Sequence, residues 1–509
     1  MPGNTISGDR ELSNEALLER VQRAATGFME MGVAENDAVG IMLRNDLAFL
    51  EAHLGLGRAN AYPVPINWHF RAEEAGYILR DSKARALVIH ADLLPQIVGG
   101  IPDGVQVLVV PTPPEVQRAY GLSPESCRVP GGMTDWNTWL EGFEPHTAEP
   151  EKRRFAMLYT SGTTGNPKGV RREAVDLAAF GSMLESGSIA MGLRPDIVSV
   201  MTGPLYHSAP NAWATLLFMF GATQILQPRF DPEELLQLIE KHRVSHLHMV
   251  PTMFVRLLKL PDAVKTRYDL SSLEHVVHGA APCPVEVKHQ MLDWWGPVIN
   301  EYYGATESGF TVFATAEEWL ARPGTVGKAL PGAVVKVFSA EGAELPPGEV
   351  GEIYVKNGIM TNFTYYGKDE KRQEIEREGM VTIGDVGHMD EDGFVFLSDR
   401  KNDMVISGGV NIYPAEIEAT LIGLPGVQDC AVFGIPDDEF GEALAAVIQP
   451  EHNGGLAESD VRTFLQEKLA RYKMPRVITF QSELPREDSG KIFKRKLREP
   501  YWEKTGRNI

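Results

Sequence analysis

Apolar residues follow two different spacings, and these alternate along the first part of the chain. Residues 15–31 and 232–244 repeat apolar positions every three to four residues, which is typical of amphipathic helices. Asp231 and Pro232 are residue types that begin a helix. Short apolar runs typical of buried strands cover residues 38–43, 85–91, 105–111 and 273–280. Because helices alternate with buried strands, we predict an α/β fold with largely parallel sheets.

The pattern changes after about residue 323, where short alternating strands are separated by dense Gly/Pro turns. This pattern predicts a small β-rich subdomain. A charged turn at residues 398–403 follows, and beyond it two helices and two strands form a small α+β unit. A chain of 509 residues is too long for one hydrophobic core. We therefore predict a large N-terminal domain over residues 1–398 and a small C-terminal domain over residues 399–509.

The charge balance and the cysteines exclude several classes of protein. The chain has 49 basic and 69 acidic residues, a formal net charge of −20, which argues against a nucleic-acid partner. Cys127, Cys283 and Cys430 lie far apart, without disulfide or zinc-site spacing, so we expect a reducing cytoplasm. The N-terminus lacks the features of a signal peptide. The most apolar stretch, residues 213–226, is shorter than the ~20 residues that span a bilayer, and we interpret it as a buried helix followed by a strand.

The most specific local pattern is YTSGTTGNPKGV at residues 159–170, which follows a predicted strand. Its glycines permit backbone geometries in which consecutive N–H groups converge on an anion. Its hydroxyl groups add donors, and Lys168 adds a positive charge. The loop is not a Walker loop, because no GK[ST] lies at the required offset from a preceding glycine. Taken alone, its composition also fits an ordinary surface loop.

This loop resembles the phosphate-binding loop of the adenylate-forming superfamily, which contains acyl-CoA synthetases, firefly luciferase and the adenylation domains of peptide synthetases. Four further stretches resemble the family's other motifs and follow in the same order: EYYGATE (301–307), TIGD (382–385), residues 399–418 with the SGG and YPAEIE segments, and PREDSGK (485–491). The chain is therefore identified as a member of this superfamily. Membership implies that ATP converts a carboxylic acid into an acyl-AMP, and the resemblance to acyl-CoA synthetases favours transfer of the acyl group to coenzyme A.

The resemblance also implies roles for individual residues on the nucleotide. Tyr303 lies against one face of the adenine, and the Gly279-Ala280-Ala281 turn lines the other side. Asp385 accepts the ribose hydroxyls, Arg400 adds a donor, and Glu307 helps to bind Mg²⁺, which prefers carboxylate and phosphate oxygens. The remaining residues assigned to ATP by their motifs are Ser161, Gly162, Thr163, Thr164, Gly165, Lys168, Gly304 and Thr306.

Two further assignments concern the reacting groups. Lys491 is implied as the catalytic lysine of adenylation, and His207 matches the position that guards the carboxylate of the acid. Thr163 and Lys168 complete the catalytic set by holding the phosphates while pyrophosphate leaves.

The second half-reaction is implied to use another face of the C-terminal domain. In the family this domain rotates, so that Gly408 and Gly409 replace Lys491 and let the pantetheine chain approach the backbone. The hinge position is commonly Asp or Lys, whereas this chain has Asn402 between Lys401 and Asp403. Asn402 is therefore the candidate pivot.

The identity of the acid and of its acceptor stays open at this stage. The segment YHSAPNAW has no aspartate to pair an α-ammonium group, which argues against amino acids, and the apolar run at 212–220 fits either an acid-binding wall or a plain core helix. A fatty, aryl or alicyclic acid fits. An adenylating enzyme with an amine or a carrier protein as acceptor is the alternative, followed by a luciferase-like oxygenase and a non-catalytic nucleotide-binding module. His242, His246 and His248 are interpreted as core or edge histidines, and the oligomeric state, a homodimer included, is open.

Overall fold

The computed structural model describes residues 2–160, 167–401, 403–407, 410–437, 440–451, 455–486 and 492–503. The chain divides into two compact units. The first consists of Met1–Met249, Leu260–Val277 and Ile359–Ile375. The second consists of Val250–Lys259, His278–Gly358 and Glu376–Ile509.

The strands of the first part of the chain are β1 (Asn4–Ser7), β2 (Arg10–Ser13), β3 (Ala38–Met42), β4 (Tyr62–Pro65), β5 (Ala84–His90), β6 (Gln106–Val110), β7 (Thr134–Asp135), β8 (Lys152–Arg153), β9 (Leu158–Thr160), β10 (Lys168–Arg172), β11 (Val175–Asp176), β12 (Val198–Met201), β13 (Thr223–Leu226), β14 (His246–Met249) and β15 (His275–His278). The helices between them are α1 (Asn14–Glu30), α2 (Leu47–Arg58), α3 (Ala72–Asp81), α4 (Leu94–Ile97), α5 (Pro114–Tyr120), α6 (Trp136–Glu141), α7 (Leu177–Met191), α8 (Ser208–Met219), α9 (Pro232–His242), α10 (Pro251–Leu258) and α11 (Asp262–Lys265).

The strands of the remaining chain are β16 (Ile299–Ala305), β17 (Gly309–Ala314), β18 (Thr325–Ala329), β19 (Val334–Phe338), β20 (Gly351–Lys356), β21 (Phe363–Tyr365), β22 (Glu376–Arg377), β23 (Met380–Val381), β24 (Asp385–Met389), β25 (Phe394–Arg400), β26 (Val405–Ser407), β27 (Val410–Ile412), β28 (Val427–Asp437), β29 (Gly441–Pro450) and β30 (Val477–Phe480). The helices among them are α12 (Val285–Trp295), α13 (Ala316–Ala321), α14 (Asp369–Glu374), α15 (Pro414–Ile422), α16 (Glu458–Lys468) and α17 (Lys494–Trp502).

The first unit contains mostly parallel sheets. One sheet has the order β4-β3-β5-β6-β7, and all its pairs are parallel. In the other, β13 lies between β1 and β12, β12 pairs with β14, and these pairs are also parallel. Helices such as α9 connect the strands: Asp231 caps α9 by accepting a hydrogen bond from the N–H of Glu234, and Pro232 occupies its first turn. The predicted α/β class is confirmed.

The second unit contains the predicted β-rich part and the C-terminal part of the chain. Strands β16, β17, β18, β25, β24 and β20 pair antiparallel in this order, as the Gly/Pro-rich turns indicate. In the C-terminal part, β28 and β29 form a long antiparallel pair, and β30 joins β29 in parallel. Helices α15 and α16 cover one face of this sheet through a core that includes Ile417, Leu421, Val461 and Leu465.

Candidate active site

The predicted phosphate loop connects two paired strands of the first unit. Strands β9 and β10 run antiparallel, and Thr160 lies directly opposite Lys168, so the two ends of the loop are neighbours. The Nζ atom of Lys168 lies 4.9 Å from the ring centroid of Tyr365 on β21, which flanks β10 on its other side. Five predicted site residues, Ser161, Gly162, Thr163, Thr164 and Gly165, lie outside the described residues.

A network of polar side chains supports the base of this loop. Tyr159 donates a hydrogen bond of 2.8 Å to Oδ2 of Asp81 on α3. Tyr77, also on α3, donates to the carbonyl of Pro167 at 3.0 Å, and Lys368 donates to the Tyr77 hydroxyl at 2.8 Å. Burial and the neighbouring Asp81 carboxylate raise the pKa of Tyr159, so its hydroxyl stays a donor at neutral pH. Sequence reasoning missed this network, because its members come from segments far apart in the chain.

His207 is the N-cap residue of α8 in the first unit. Its carbonyl accepts the N–H of Asn211, and its ring centroid lies 4.3 Å from that of Tyr206. Asn45 holds the preceding segment: its side chain donates to the carbonyl of Gly203 at 2.9 Å and accepts the N–H of Leu205 at 2.9 Å. Because Asn45 is buried, these bonds fix the chain that leads to His207.

The apolar face of α8 belongs largely to the core of the first unit. Trp213, Ala214, Leu217 and Phe218 are buried, and the Trp213 indole donates to the Ser199 hydroxyl at 3.0 Å. These contacts support the interpretation as a core helix for these four residues. The adjoining strand β13 begins at Thr223, which confirms the predicted order of a buried helix followed by a strand.

The predicted ribose-binding residues lie together in the second unit. Asp385 begins β24 and lies opposite Arg400, the last residue of β25. The hydroxyl of Tyr303 donates to Oδ2 of Asp385 at 2.8 Å, and Nε of Arg400 lies 3.3 Å from Oδ1. Burial and the Asp385 carboxylate raise the pKa of Tyr303 well above its ordinary value, so its hydroxyl remains a donor. The structure thus brings Tyr303 to a pair of neighbouring strands that lies 82 residues further along the chain.

The Gly279-Ala280-Ala281 turn follows β15 and lies against β16. A Cβ atom on Gly279 would lie 2.6 Å from the ring of Tyr302, the neighbour of Tyr303, so only glycine fits there. Ala280 has a φ of 67°, in the left-handed region that alanine rarely adopts. Such strain is typical of sites where the surrounding structure holds the backbone for a ligand.

The other residues of the adenine and magnesium motif lie at the turn between β16 and β17. Gly304 approaches β17 so closely that a Cβ atom would lie 2.1 Å from the carbonyl oxygen of Gly309. Thr306 and Glu307 follow in the turn, where Glu307 is 9% exposed. The hydroxyl of Ser308 accepts the N–H of Ala305 at 3.0 Å and stabilises this turn. Glu307 therefore belongs to an ordered turn directly after the strand that carries Tyr303.

Four residues predicted in the C-terminal part, Asn402, Gly408, Gly409 and Lys491, lie outside the described residues. The structure describes residues on either side of these positions. Ser407 and Val410 face each other at the ends of β26 and β27. Arg486 and Ile492 form an antiparallel bridge on either side of the segment that carries Lys491.

The three histidines that superficially suggest a metal site behave as predicted. His246 and His248 are buried in β14, and burial lowers the pKa of each to about 4. The Nε2 atom of His246 lies 3.0 Å from the carbonyl oxygen of Gly192. His242 lies in the last turn of α9. These are neutral core and edge histidines, which confirms the interpretation made from the sequence.

Comparison with known families identifies the chain. The family model described as AMP-binding enzyme matches residues 3–366, and the model of the AMP-binding enzyme C-terminal domain matches residues 416–491. The chain belongs to the AMP-binding enzyme family. This finding confirms the predicted membership in the adenylate-forming superfamily.

Relatives of this AMP-binding enzyme match it over almost the whole chain. A feruloyl-CoA synthase of Amycolatopsis sp is 33% identical, covering 96% of this chain and 94% of the relative. The long-chain-fatty-acid–CoA ligase FadD13 of Mycobacterium tuberculosis is 31% identical, covering 94% and 91%. ATP-bound MatB from Rhodopseudomonas palustris has a TM-score of 0.84 at 28% identity and covers 98% of this chain and 96% of that chain. The predicted class, an ATP-dependent, AMP-forming acyl-CoA synthetase, is confirmed.

Two further findings concern membrane-spanning helices and the cysteines. Within the part of the chain that the structure describes, no helix is both long and apolar enough to cross a membrane. Cys127, Cys283 and Cys430 are all free thiols.

Proposed function

We propose that this enzyme activates a hydrophobic carboxylic acid with ATP and transfers the acyl group to coenzyme A, giving acyl-CoA, AMP and pyrophosphate. The observation that carries the proposal is the cluster of Tyr303, Asp385 and Arg400. Both carboxylate oxygens of Asp385 are held in place, by the Tyr303 hydroxyl at 2.8 Å and by the Arg400 guanidinium at 3.3 Å. A fixed carboxylate that is 7% exposed can accept both ribose hydroxyls of a nucleotide at little entropic cost.

The chemistry of the first half-reaction needs two anions held together. The acid's carboxylate attacks the α-phosphorus, the bond to the bridging oxygen breaks, and pyrophosphate leaves. We assign Thr163, Thr164 and Lys168 to the β- and γ-phosphates, and Lys491 to the carboxylate and the α-phosphate. His207 is assigned to the carboxylate of the acid. Positive charge and preorganised donors stabilise the transferring phosphoryl group.

Magnesium is part of the proposal, and Glu307 is its assigned ligand. Among the described residues, no three carboxylate, histidine or cysteine side chains are grouped so that they could hold a metal ion alone. Mg²⁺ usually keeps several waters and is bound by one or two carboxylates together with substrate phosphates, which fits a site with a single Glu307. The bound ion would neutralise charge on the phosphates.

For the second half-reaction we propose that the C-terminal domain, residues 399–509, turns about the segment around Asn402. The turn exchanges Lys491 for the face that carries Gly408 and Gly409, where coenzyme A attacks the acyl-AMP as a thiolate. Arg400, which pairs with Asp385, lies next to this segment. The nucleotide contact and the proposed pivot are therefore adjacent in the chain.

The acid is proposed to be fatty, aryl or alicyclic. Relatives named for ferulate and for long-chain fatty acids cover most of this chain at 33% and 31% identity, which supports hydrophobic acids without selecting one. Cytoplasmic location belongs to the same proposal, and it is supported by the three free thiols and by the use of ATP and coenzyme A.

The test is incubation with ATP and Mg²⁺ and a panel of fatty, aryl and alicyclic acids, with and without coenzyme A. AMP and pyrophosphate in a one-to-one ratio with acyl-CoA are expected for at least one acid. AMP release that needs an added amine instead of coenzyme A would contradict the proposed acceptor. ADP as the product would contradict adenylation itself.

A further inference from the structure

A buried cluster of charged side chains in the second unit lies beside the residues assigned to adenine. Lys288 on α12 is fully buried, and its Nζ atom lies 2.6 Å from Oε2 of Glu301 on β16. Nε2 of His278, the last residue of β15, lies 3.5 Å from the same oxygen. The Lys288 ammonium also lies 4.7 Å from the ring centroid of the buried Trp319. The proposed chemistry uses none of these four side chains.

The stability of the fold does not by itself account for this cluster. Burial lowers the pKa of Lys288 and raises the pKa of Glu301, and the opposite charge of each partner acts against both shifts. Removing both charges of a buried ion pair in favour of apolar side chains is often neutral or stabilising. An apolar pair would therefore serve a purely structural purpose equally well.

The position of the cluster suggests what it does. Glu301 contacts the residue before the loop 279–284, which is His278, and Lys288, which lies in the first turn of the helix after that loop. Both ends of the loop thus approach one carboxylate on β16, two residues before Tyr303, and the Lys288 ammonium donates a hydrogen bond to it. The loop contains Ala280 with its positive φ, a conformation that persists only where surrounding contacts enforce it.

We propose that Lys288, Glu301 and His278 are positioning residues that hold the 279–281 turn at a fixed distance from Tyr303 and thereby determine the affinity and base selectivity for ATP. This inference rests on the proposed nucleotide site. The cluster is proposed to act only through this turn, so its effect should be confined to the nucleotide.

The test compares K288M with the double variant K288M/E301L in steady-state pyrophosphate release, with ATP or GTP varied at saturating acid and with the acid varied at saturating ATP. K288M leaves a buried carboxylate without its lysine and should be less stable, whereas the double variant should recover the melting temperature. Both should show a KM for ATP raised about tenfold, as when residues that support a ligand-binding group are lost. The ratio of kcat/KM for ATP to that for GTP should fall, and the KM for the acid should stay unchanged.

A double variant that recovers both stability and the wild-type KM for ATP would overturn the inference, because the cluster would then be merely structural. A joint change of kcat, the KM for ATP and the KM for the acid would also overturn the inference. K336M/E344L, which removes an exposed ion pair of the same unit, is the matched control and should leave all parameters unchanged. If D385N leaves the KM for ATP unchanged, the proposed nucleotide site is wrong; if D385N raises it and K288M/E301L does not, only this inference fails.

Discussion

Replacing Asp385 by asparagine removes one charge from the proposed ribose site and keeps the shape of the side chain. The Tyr303 hydroxyl, now 2.8 Å from Oδ2, can still donate to an amide oxygen. Arg400 loses its ion pair, but its side chain is 44% exposed, so this loss costs about 1 kcal/mol or less. The variant should therefore fold, with a melting temperature close to that of the wild type.

The effect on nucleotide binding follows from the two ribose hydroxyls that Asp385 is proposed to accept. A hydrogen bond to a charged acceptor contributes about 1.5–3 kcal/mol and one between neutral groups about 0.5–1.5 kcal/mol. The substitution thus removes about 1 kcal/mol per bond, or about 2 kcal/mol in all. Since 1.4 kcal/mol corresponds to a factor of ten, the KM for ATP should rise about 30-fold.

The assay is pyrophosphate release at saturating acid over a range of ATP concentrations, together with a thermal melt of each protein. D392N is the matched control. Asp392 lies in the turn between β24 and β25, its side chain is exposed, and it forms an ion pair with Arg322. D392N should leave the KM for ATP unchanged. A KM for D385N within about twofold of the wild-type value, in a folded protein, would refute the assignment of Asp385 to the ribose.

Three other predictions address the half-reactions and the buried histidines. K491A should lose most acid-dependent ATP–pyrophosphate exchange while still converting supplied acyl-AMP to acyl-CoA. Equal loss of both activities would contradict the assignment of Lys491 to the adenylation step. G408L should spare adenylation and impair thioester formation, and intact overall turnover would refute the two-state account of the C-terminal domain. His53, buried on α2, and His248, buried on β14, are neutral in the folded state with a pKa of about 4, compared with 6.5 in the unfolded state. In urea unfolding, the contribution of each histidine to stability should therefore fall by up to about 3 kcal/mol as the pH drops from 6.5 towards 4, and should remain constant above pH 6.5. An H53Q/H248Q variant should lose stability less steeply over this pH range. An unchanged slope would contradict the claim that His53 and His248 cause the pH dependence.

Local patterns in the sequence were sufficient for many of the elements. The predicted helix at 232–244 is α9, Pro232–His242, because Asp231 and Pro232 fix its start. The predicted strands at 85–91 and 105–111 are β5, Ala84–His90, and β6, Gln106–Val110. Apolar periodicity reports burial on one face or on both, so it finds elements of this kind without knowledge of the fold.

The site was predictable only in part, because ordered motifs assign residues without revealing their contacts. Tyr303 was assigned to adenine, and the structure adds that its hydroxyl donates to Asp385, 82 residues further along the chain. The ion pair between Lys288 and Glu301 had no local signal, since a lysine on an amphipathic helix is ordinarily exposed. Only the packing of α12 on β16 makes that lysine a buried group.

The central claim is that the enzyme divides its reaction at an acyl-AMP, and trapping this intermediate tests it most directly. Enzyme in excess over labelled acid is mixed with ATP and Mg²⁺ without coenzyme A, quenched, and analysed for adenylate; coenzyme A is then added to a parallel sample. We predict that acyl-AMP accumulates with release of pyrophosphate, and that coenzyme A converts it to acyl-CoA with release of AMP. Two results would contradict the account. One is the formation of acyl-CoA with ADP and phosphate as the other products, and the other is the absence of adenylate before coenzyme A is added.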